Sequence, residues 1–267
     1  MLKLRVITAI VLLAFSLLVI IYCPSYLFAT ISGLFFLLAL WEWTRLAGFV
    51  STIGRSLCFL AVPIAALLIL AIFQVLDPDL VKTRIPKLFM AFWIAALIVL
   101  IRYPKDIAWL QSKTAGILVG TMVLVPAWAM LVALQYANVK WVLYVIALVA
   151  VADTSAYFTG KRFGKHQLAP NISPGKTWEG VAGALLGVFS LALGGYWLLD
   201  PLLSLSAWIV LSLVTAIFSI IGDLFESVFK RMRHLKDSGR LLPGHGGILD
   251  RIDGLVAALP VFAVGLI

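Results

Sequence analysis

Apolar and polar positions along this chain fall into long blocks, not the short rhythm of a water-soluble fold. Apolar runs lie near 6–22, 25–43, 56–76, 87–101, 115–134, 140–159, 178–199, 206–226 and 253–267. An α-helix needs about 20 mainly apolar residues to cross the hydrocarbon of a bilayer, and most of these runs approach that length. They contain Gly and Pro but few charges, which fits helices, because every backbone group is then satisfied inside its own segment. Barrel strands would alternate with a period of two over about ten residues, and no such rhythm is visible. The pattern predicts an all-α, polytopic integral membrane protein with about nine transmembrane helices. Pro24 and Ser25 stand between the first two runs, which predicts a tight helical hairpin. The first run follows Met-Leu-Lys-Leu-Arg but lacks a convincing cleavage site, so it reads as a retained helix.

Composition sharpens this picture. Hydrophobic residues make up 63% of the chain and charged residues 12%, against roughly 45–50% and 25% in soluble domains. A water-soluble enzyme, a disordered chain and a nucleic-acid-binding domain are excluded, and the expected surroundings are the lipid bilayer. The net charge of +9 then reads as cytoplasmic loops rich in Lys and Arg. With the N-terminus cytoplasmic, Lys82, Arg84, Lys87 and Lys140 alone of the 21 basic residues fall outside. Nine crossings from that start place the C-terminus outside. Cys23 and Cys58 sit in or beside apolar runs, and His166, His234 and His245 are too scattered for a zinc set.

Polarity is uneven along the chain. Residues 1–114 read as N-terminal transmembrane helices, about four spans with short loops. Residues 115–267 read as a catalytic transmembrane region of about five spans, with long cytoplasmic loops at 160–177 and 227–252. Loops of that length are functional or disordered. Asp153 lies at the edge of the sixth run, Asp223 ends the eighth, and Asp250 and Asp253 open the ninth. An ionisable group at membrane depth costs at least about 2.5–3.5 kcal/mol on insertion scales and marks a candidate site. The inward-running sixth and eighth spans and the start of the ninth bring all of these carboxylates to one membrane face. Asp250 and Asp253 share a helical face, as do Asp223 and Glu226. For Asp253, capping of a helix start and a functional role stand level. Carboxylates with nearby hydroxyls (Thr154, Ser155, Ser227) suit hard cations, and Mg²⁺ takes one or two carboxylates and completes its shell with water and phosphate.

Cations supply the complement. Ser173-Pro-Gly-Lys-Thr-Trp-Glu-Gly is expected to open the seventh helix, with Ser173 before it, Pro174 in its first turn, and Lys176 and Glu179 on one face. A lysine at a helix N-terminus is an anion-binding arrangement, although no Walker loop is present. Gly180, Gly183 and Gly187 are expected to permit close helix packing. The last loop carries Lys230, Arg231, Arg233, Lys236 and Arg240 before Gly244-His245-Gly246-Gly247, a turn that lets backbone approach a ligand closely. His245 either donates to a phosphate or shapes that turn. Cations among carboxylates are what a phosphate-rich substrate requires.

Residues 227–253 resemble the signature of the phosphatidate cytidylyltransferase family, the CDP-diacylglycerol synthases, in its bacterial form. The matching positions are Ser227, Lys230, Arg231, Lys236, Asp237, His245, Gly246, Gly247, Asp250, Arg251 and Asp253. The segments Asp153-Thr-Ser-Ala-Tyr157 and Ser173-Pro-Gly-Lys176-Thr-Trp-Glu179-Gly are similar to further motifs of that family. The resemblance implies transfer of the cytidylyl group of CTP to phosphatidic acid, giving CDP-diacylglycerol and pyrophosphate, at the cytoplasmic face of the cell inner membrane. It implies catalytic roles for Lys176, Asp223, Lys230, Arg231, Asp250 and Asp253. Substrate contacts would come from Ser173, Lys176, Ser227, Lys230, Arg231, Lys236, His245, Gly246, Gly247 and Arg251. Asp223 and Asp250, with Asp253 or Asp153 assisting, would hold Mg²⁺ and a second divalent or monovalent cation.

Two rival classes are weaker. A CDP-alcohol phosphotransferase would continue from Asp253-Gly254 into an Ala-Arg pair, and Val256-Ala257-Ala258 does not. A transporter or scramblase would place its polar residues across the midplane and show an internal repeat; here they crowd one face. Small-residue faces and the N-terminal hairpin permit a homodimer.

Overall fold

The computed structural model describes residues 2–76, 85–105, 107–241 and 246–266, with side chains for 10–64, 89–105, 107–241 and 246–266. Lys82, Arg84 and the candidate His245 lie outside the described residues, and the Lys87 side chain lies outside the described side chains.

Each apolar run is a helix. They are α1 (Leu2–Tyr22), α2 (Ser25–Leu46), α3 (Thr52–Leu76), α4 (Ile85–Arg102), α5 (Lys113–Ala137), α6 (Val139–Phe163), α7 (Trp178–Leu199) and α8 (Leu205–Met232). A short α9 (Leu249–Ile252) precedes α10 (Leu255–Leu266). Polar residues punctuate the chain where helices begin. Ser112, Asn138, Thr177 and Ser204 each accept, through a side-chain oxygen, a backbone N–H of the first turn of α5, α6, α7 and α8. Pro24, with φ −61° and extended ψ, sets the turn between α1 and α2.

Among the described residues, α2, α5, α6, α7 and α8 are long and apolar enough to cross a membrane. Their outward faces carry Leu118, Leu186, Leu198 and Val210, all well exposed, as lipid-facing positions should be. The ninth apolar run forms α10, which is enclosed: Val256 through Ala263 are all buried, against α8, α5, α4 and α6.

The 160–177 segment departs from a plain loop. α6 runs on to Phe163, and a two-stranded antiparallel ribbon follows, β1 (Gln167–Ala169) and β2 (Ser173–Thr177), with Gln167 opposite Thr177 and Ala169 opposite Ser173. Ser173 and Pro174 therefore do not start a helix. They belong to a strand, and α7 begins at Trp178 with Thr177 as its cap. The cause is local. Thr177 is β-branched and its hydroxyl reaches the N–H of Gly180 at 3.1 Å, while His166 ties the ribbon down. Its carbonyl accepts from Trp178 N, and its Nδ1 lies 2.7 Å from Glu179 Oε1.

Interhelical contact rests on small residues, since lipid gives no hydrophobic drive for helix association. A Cβ on Gly183 would strike the Thr159 side chain, and one on Gly187 would strike Ser155, so α6 and α7 touch backbone to side chain. Indole N–H groups satisfy buried carbonyls across helices. Trp43 bonds Gly116 O at 2.8 Å and Trp208 bonds Ala192 O at 3.0 Å. Gly183→Val should lower the thermal midpoint in detergent by the equivalent of about 1–3 kcal/mol through overpacking. Gly194→Ala, which meets nothing within 4 Å, should leave it unchanged or slightly raised; equal midpoints for both variants would contradict close α6–α7 packing.

Candidate active site

The C-terminal half of α6, the part of α8 around Asp223, the start of α7 and strand β2 border a cavity of about 350 Å³. Asp153 from α6, Lys176 from β2 and Asp223 from α8 line it, with Tyr157, Lys161 and the cap residue Thr177 at its walls. The strand conformation of 173–177 has a direct effect here. It carries Lys176 over the cavity, where its Nζ meets Asp223 Oδ2 at 2.5 Å. Both side chains keep 27–29% of their surface exposed, so the pair remains open to a ligand. Asp153 lies within electrostatic reach of Asp223 and Lys176.

A second, drier cluster adjoins the first. Asp223, Glu226, Ser227 and Lys230 fall on one face of α8 by their spacing. Lys230 Nζ sits 3.2 Å from Glu226 Oε1 and 3.0 Å from Asp250 Oδ1, with side-chain exposures of 10%, 3% and 10%. Asp250 also accepts from the backbone N–H of Ser238 and of Gly247, at 3.0 and 2.9 Å. Burial opposes its ionisation, but the Lys230 ammonium and these N–H donors outweigh burial and hold the carboxyl below the usual carboxylate range. Asp253 couples electrostatically to Asp223, Lys230 and Lys176 and so joins the two clusters. Its backbone carbonyl packs against Gly222, where a Cβ would not fit. Asp253 follows α9, and its carboxylate accepts from Gly254 N at 2.8 Å, so it does not cap a helix start in the expected way.

The cytidylyltransferase family model matches residues 3–266. The chain belongs to this family. It is 41% identical over 270 residues to a phosphatidate cytidylyltransferase of Pseudomonas aeruginosa, covering 98% of this chain and 96% of that protein. It is 36% identical over 283 residues to that of Haemophilus influenzae, covering 98% of each. A Staphylococcus aureus phosphatidate cytidylyltransferase is 44% identical over 132 residues, about half of each chain.

In this cytidylyltransferase the remaining candidates divide by what they touch. Ser227 Oγ lies 3.5 Å from Asp223 Oδ1. Ser173 starts β2, opposite Ala169. Arg231 donates to the carbonyls of Ile172 and Leu235 and so holds the ribbon tip to the end of α8. Lys236 and Arg251 are at the surface. Gly246 takes φ +85°, a left-handed backbone suited to glycine. Among the described residues no three His, Cys, Asp or Glu side chains form a ready-made cation cage. The donors at the cavity are carboxylate oxygens from α6 and α8, which suits a cation that keeps water and substrate phosphate in its shell.

The sequence reading passed over several residues at this end of the molecule. Tyr157 and Lys161 line the cavity, and Glu42 of α2 lies buried against the last loop, accepting from Leu249 N at 2.9 Å. Glu42 carried the same signal as Asp223, a lone carboxylate in an apolar run.

The two lysines should separate stability from activity. Lys230→Met leaves Glu226 and Asp250 buried without their cation, a loss on the order of 3–5 kcal/mol, seen as a large drop in thermal midpoint in detergent. Lys176→Ala breaks only a part-exposed pair and should shift stability by about 1 kcal/mol or less, while removing most turnover. A stable Lys230→Met protein would contradict this account of the buried cluster.

Proposed function

We propose that this chain transfers the cytidylyl group of CTP to phosphatidic acid, releasing pyrophosphate and leaving CDP-diacylglycerol in the bilayer. The reaction would occur at the cytoplasmic face of the inner membrane, with the N-terminus also on that side. The observation that carries the reading is the open Lys176–Asp223 pair, set with Asp153 in one cavity of apolar helices, in a chain matched along its length by the cytidylyltransferase family. A site that handles CTP needs cations for phosphates and carboxylates for the accompanying metal, and both converge here. A site for a lipid needs access from the bilayer, and α6, α7 and α8 supply apolar walls.

The chemistry follows from charge. An oxygen of the lipid phosphate attacks the α-phosphorus of CTP; the bond from that phosphorus to the bridging oxygen of the β-phosphate breaks, and pyrophosphate leaves. The attacking oxygen is already anionic near neutral pH, so no strong base is required. Catalysis rests on alignment and on neutralising charge. Lys176 can leave Asp223 for a phosphate oxygen without losing a buried partner, because both are part-exposed. Lys230 stays with Glu226 and Asp250 and holds the returning loop, whose Gly246–Gly247 backbone approaches the triphosphate. Asp223, with Asp153 and Asp253 beside it, is the set that would hold Mg²⁺; Asp250, already engaged by Lys230 and two N–H groups, would orient that set. Bound there, Mg²⁺ would draw charge from the α-phosphate and from the departing pyrophosphate.

Purified protein in mixed micelles with phosphatidic acid, CTP and Mg²⁺ should release pyrophosphate. Asp223→Asn should reduce this by at least about 10²-fold while the protein remains folded, and excess chelator should stop it. Turnover that persists in chelator would refute the Mg²⁺ assignment, and a wild-type protein that releases no pyrophosphate would refute the reaction.

A further inference from the structure

Glu42 is 2% exposed, one turn from the end of α2 and nearly 200 positions from the loop it touches. Its Oε2 accepts from the hydroxyl of Ser238 at 3.2 Å and from the backbone N–H of Leu249 at 2.9 Å. Ser238 and Leu249 flank the segment that carries the Gly246–Gly247 turn. Ser238 is also held by Asp250, which accepts from Ser238 N and from Gly247 N. Two glycines fit between these carboxylates because they lack side chains. A Cβ on Gly239 would strike Glu42 Oε1, and one on Gly247 would strike Ser238 Oγ and Glu42 Oε2. The start of the loop is fixed by the same part of α2. Arg233 donates to the carbonyls of Leu46 and Ala47 at 3.0 and 2.9 Å, and to Gln111 O at 3.0 Å.

A carboxylate this deeply buried carries a desolvation cost and is retained only where its hydrogen bonds are needed. Glu42 makes no contact with the cavity that holds Lys176 and Asp223, so its bonds serve the loop. We propose that Glu42 is a positioning residue: it clamps Ser238 and Leu249 so that Asp250, which accepts from Ser238 N and Gly247 N, is held in the geometry that nucleotide transfer needs. Its part in the reaction rests on the cytidylyltransferase reading, whereas its hold on the loop does not.

The test uses the full-length protein in detergent with Glu42→Gln, Ser238→Ala and the double variant. Gln keeps a carbonyl oxygen for Leu249 N but places an NH₂ against Gly239, so the clamp loosens without an apolar cut. Amide exchange read by mass spectrometry over 236–250 should rise in both single variants, while peptides of α6 and α7 keep wild-type protection. Unchanged exchange in this segment would overturn the clamp whatever the enzyme does. In the pyrophosphate assay, each single variant should lower kcat/KM for CTP by about tenfold or more, with KM for phosphatidic acid within about twofold of wild type. Because, among the described residues, the only Ser238 side-chain contact removed is the one to Glu42, the double variant should be no worse than the poorer single within about threefold. Wild-type kcat/KM in Glu42→Gln, or losses that multiply in the double variant, would overturn the positioning role. If Glu42→Gln fails to fold, Ser238→Ala, which leaves every charge in place, gives the exchange and kinetic result alone. A wild-type protein without pyrophosphate release would refute the reaction and leave the exchange result to judge the clamp.

Discussion

One buried ammonium organises the functional end of this protein. Lys230 sits between Glu226, one helical turn before it, and Asp250, which reaches it from the returning loop. In a low-dielectric interior none of these charges is tolerable by itself. Together they oblige the end of α8 and the start of α9 to stay in contact, and the N–H groups that Asp250 accepts draw Ser238 and Gly247 into the same knot. The loop that leaves α8 thus returns to the helix it came from. Asp253 is brought back beside α8, its carbonyl against Gly222, by that return.

A wetter pair stands next to this dry knot. Lys176 and Asp223 are close but part-exposed, so little is lost when either takes a ligand. The contrast separates two arrangements of cations and carboxylates. The buried set fixes backbone, and the open set is the one proposed to meet phosphate and metal. Arg231 and Arg233 also belong to the fixing set, since their guanidinium groups satisfy carbonyls at the ribbon tip and at the end of α2.

The apolar scaffold sets where these groups meet. Small residues let α6 and α7 approach until Gly183 and Gly187 face Thr159 and Ser155, which brings Asp153 beside the strand that bears Lys176. The enclosed α10 fills the space against α8, α5, α4 and α6 and backs Asp253 against Gly222.

The helices and their approximate limits were largely readable from residue order. Block length, capping residues and lone carboxylates in apolar runs are local signals, and α1 through α8 follow them closely. The family resemblance in 227–253 was equally local. Partnership was not. Nothing in residue order distinguishes Lys176, which is open over a cavity, from Lys230, which is buried between two carboxylates, because that difference is made by which helices surround each. The strand at 173–177 was hidden behind good helix-start residues, since its pairing partner and the His166–Glu179 contact decide it. α10 reads as a span by hydropathy, and only its neighbours show it to be enclosed. Glu42 lay outside every motif, and its hydrogen bonds to Ser238 and Leu249 exist only once α2 has packed beneath the loop. Local free energies of transfer and capping are written in the order of residues; burial and pairing are properties of the assembled bundle.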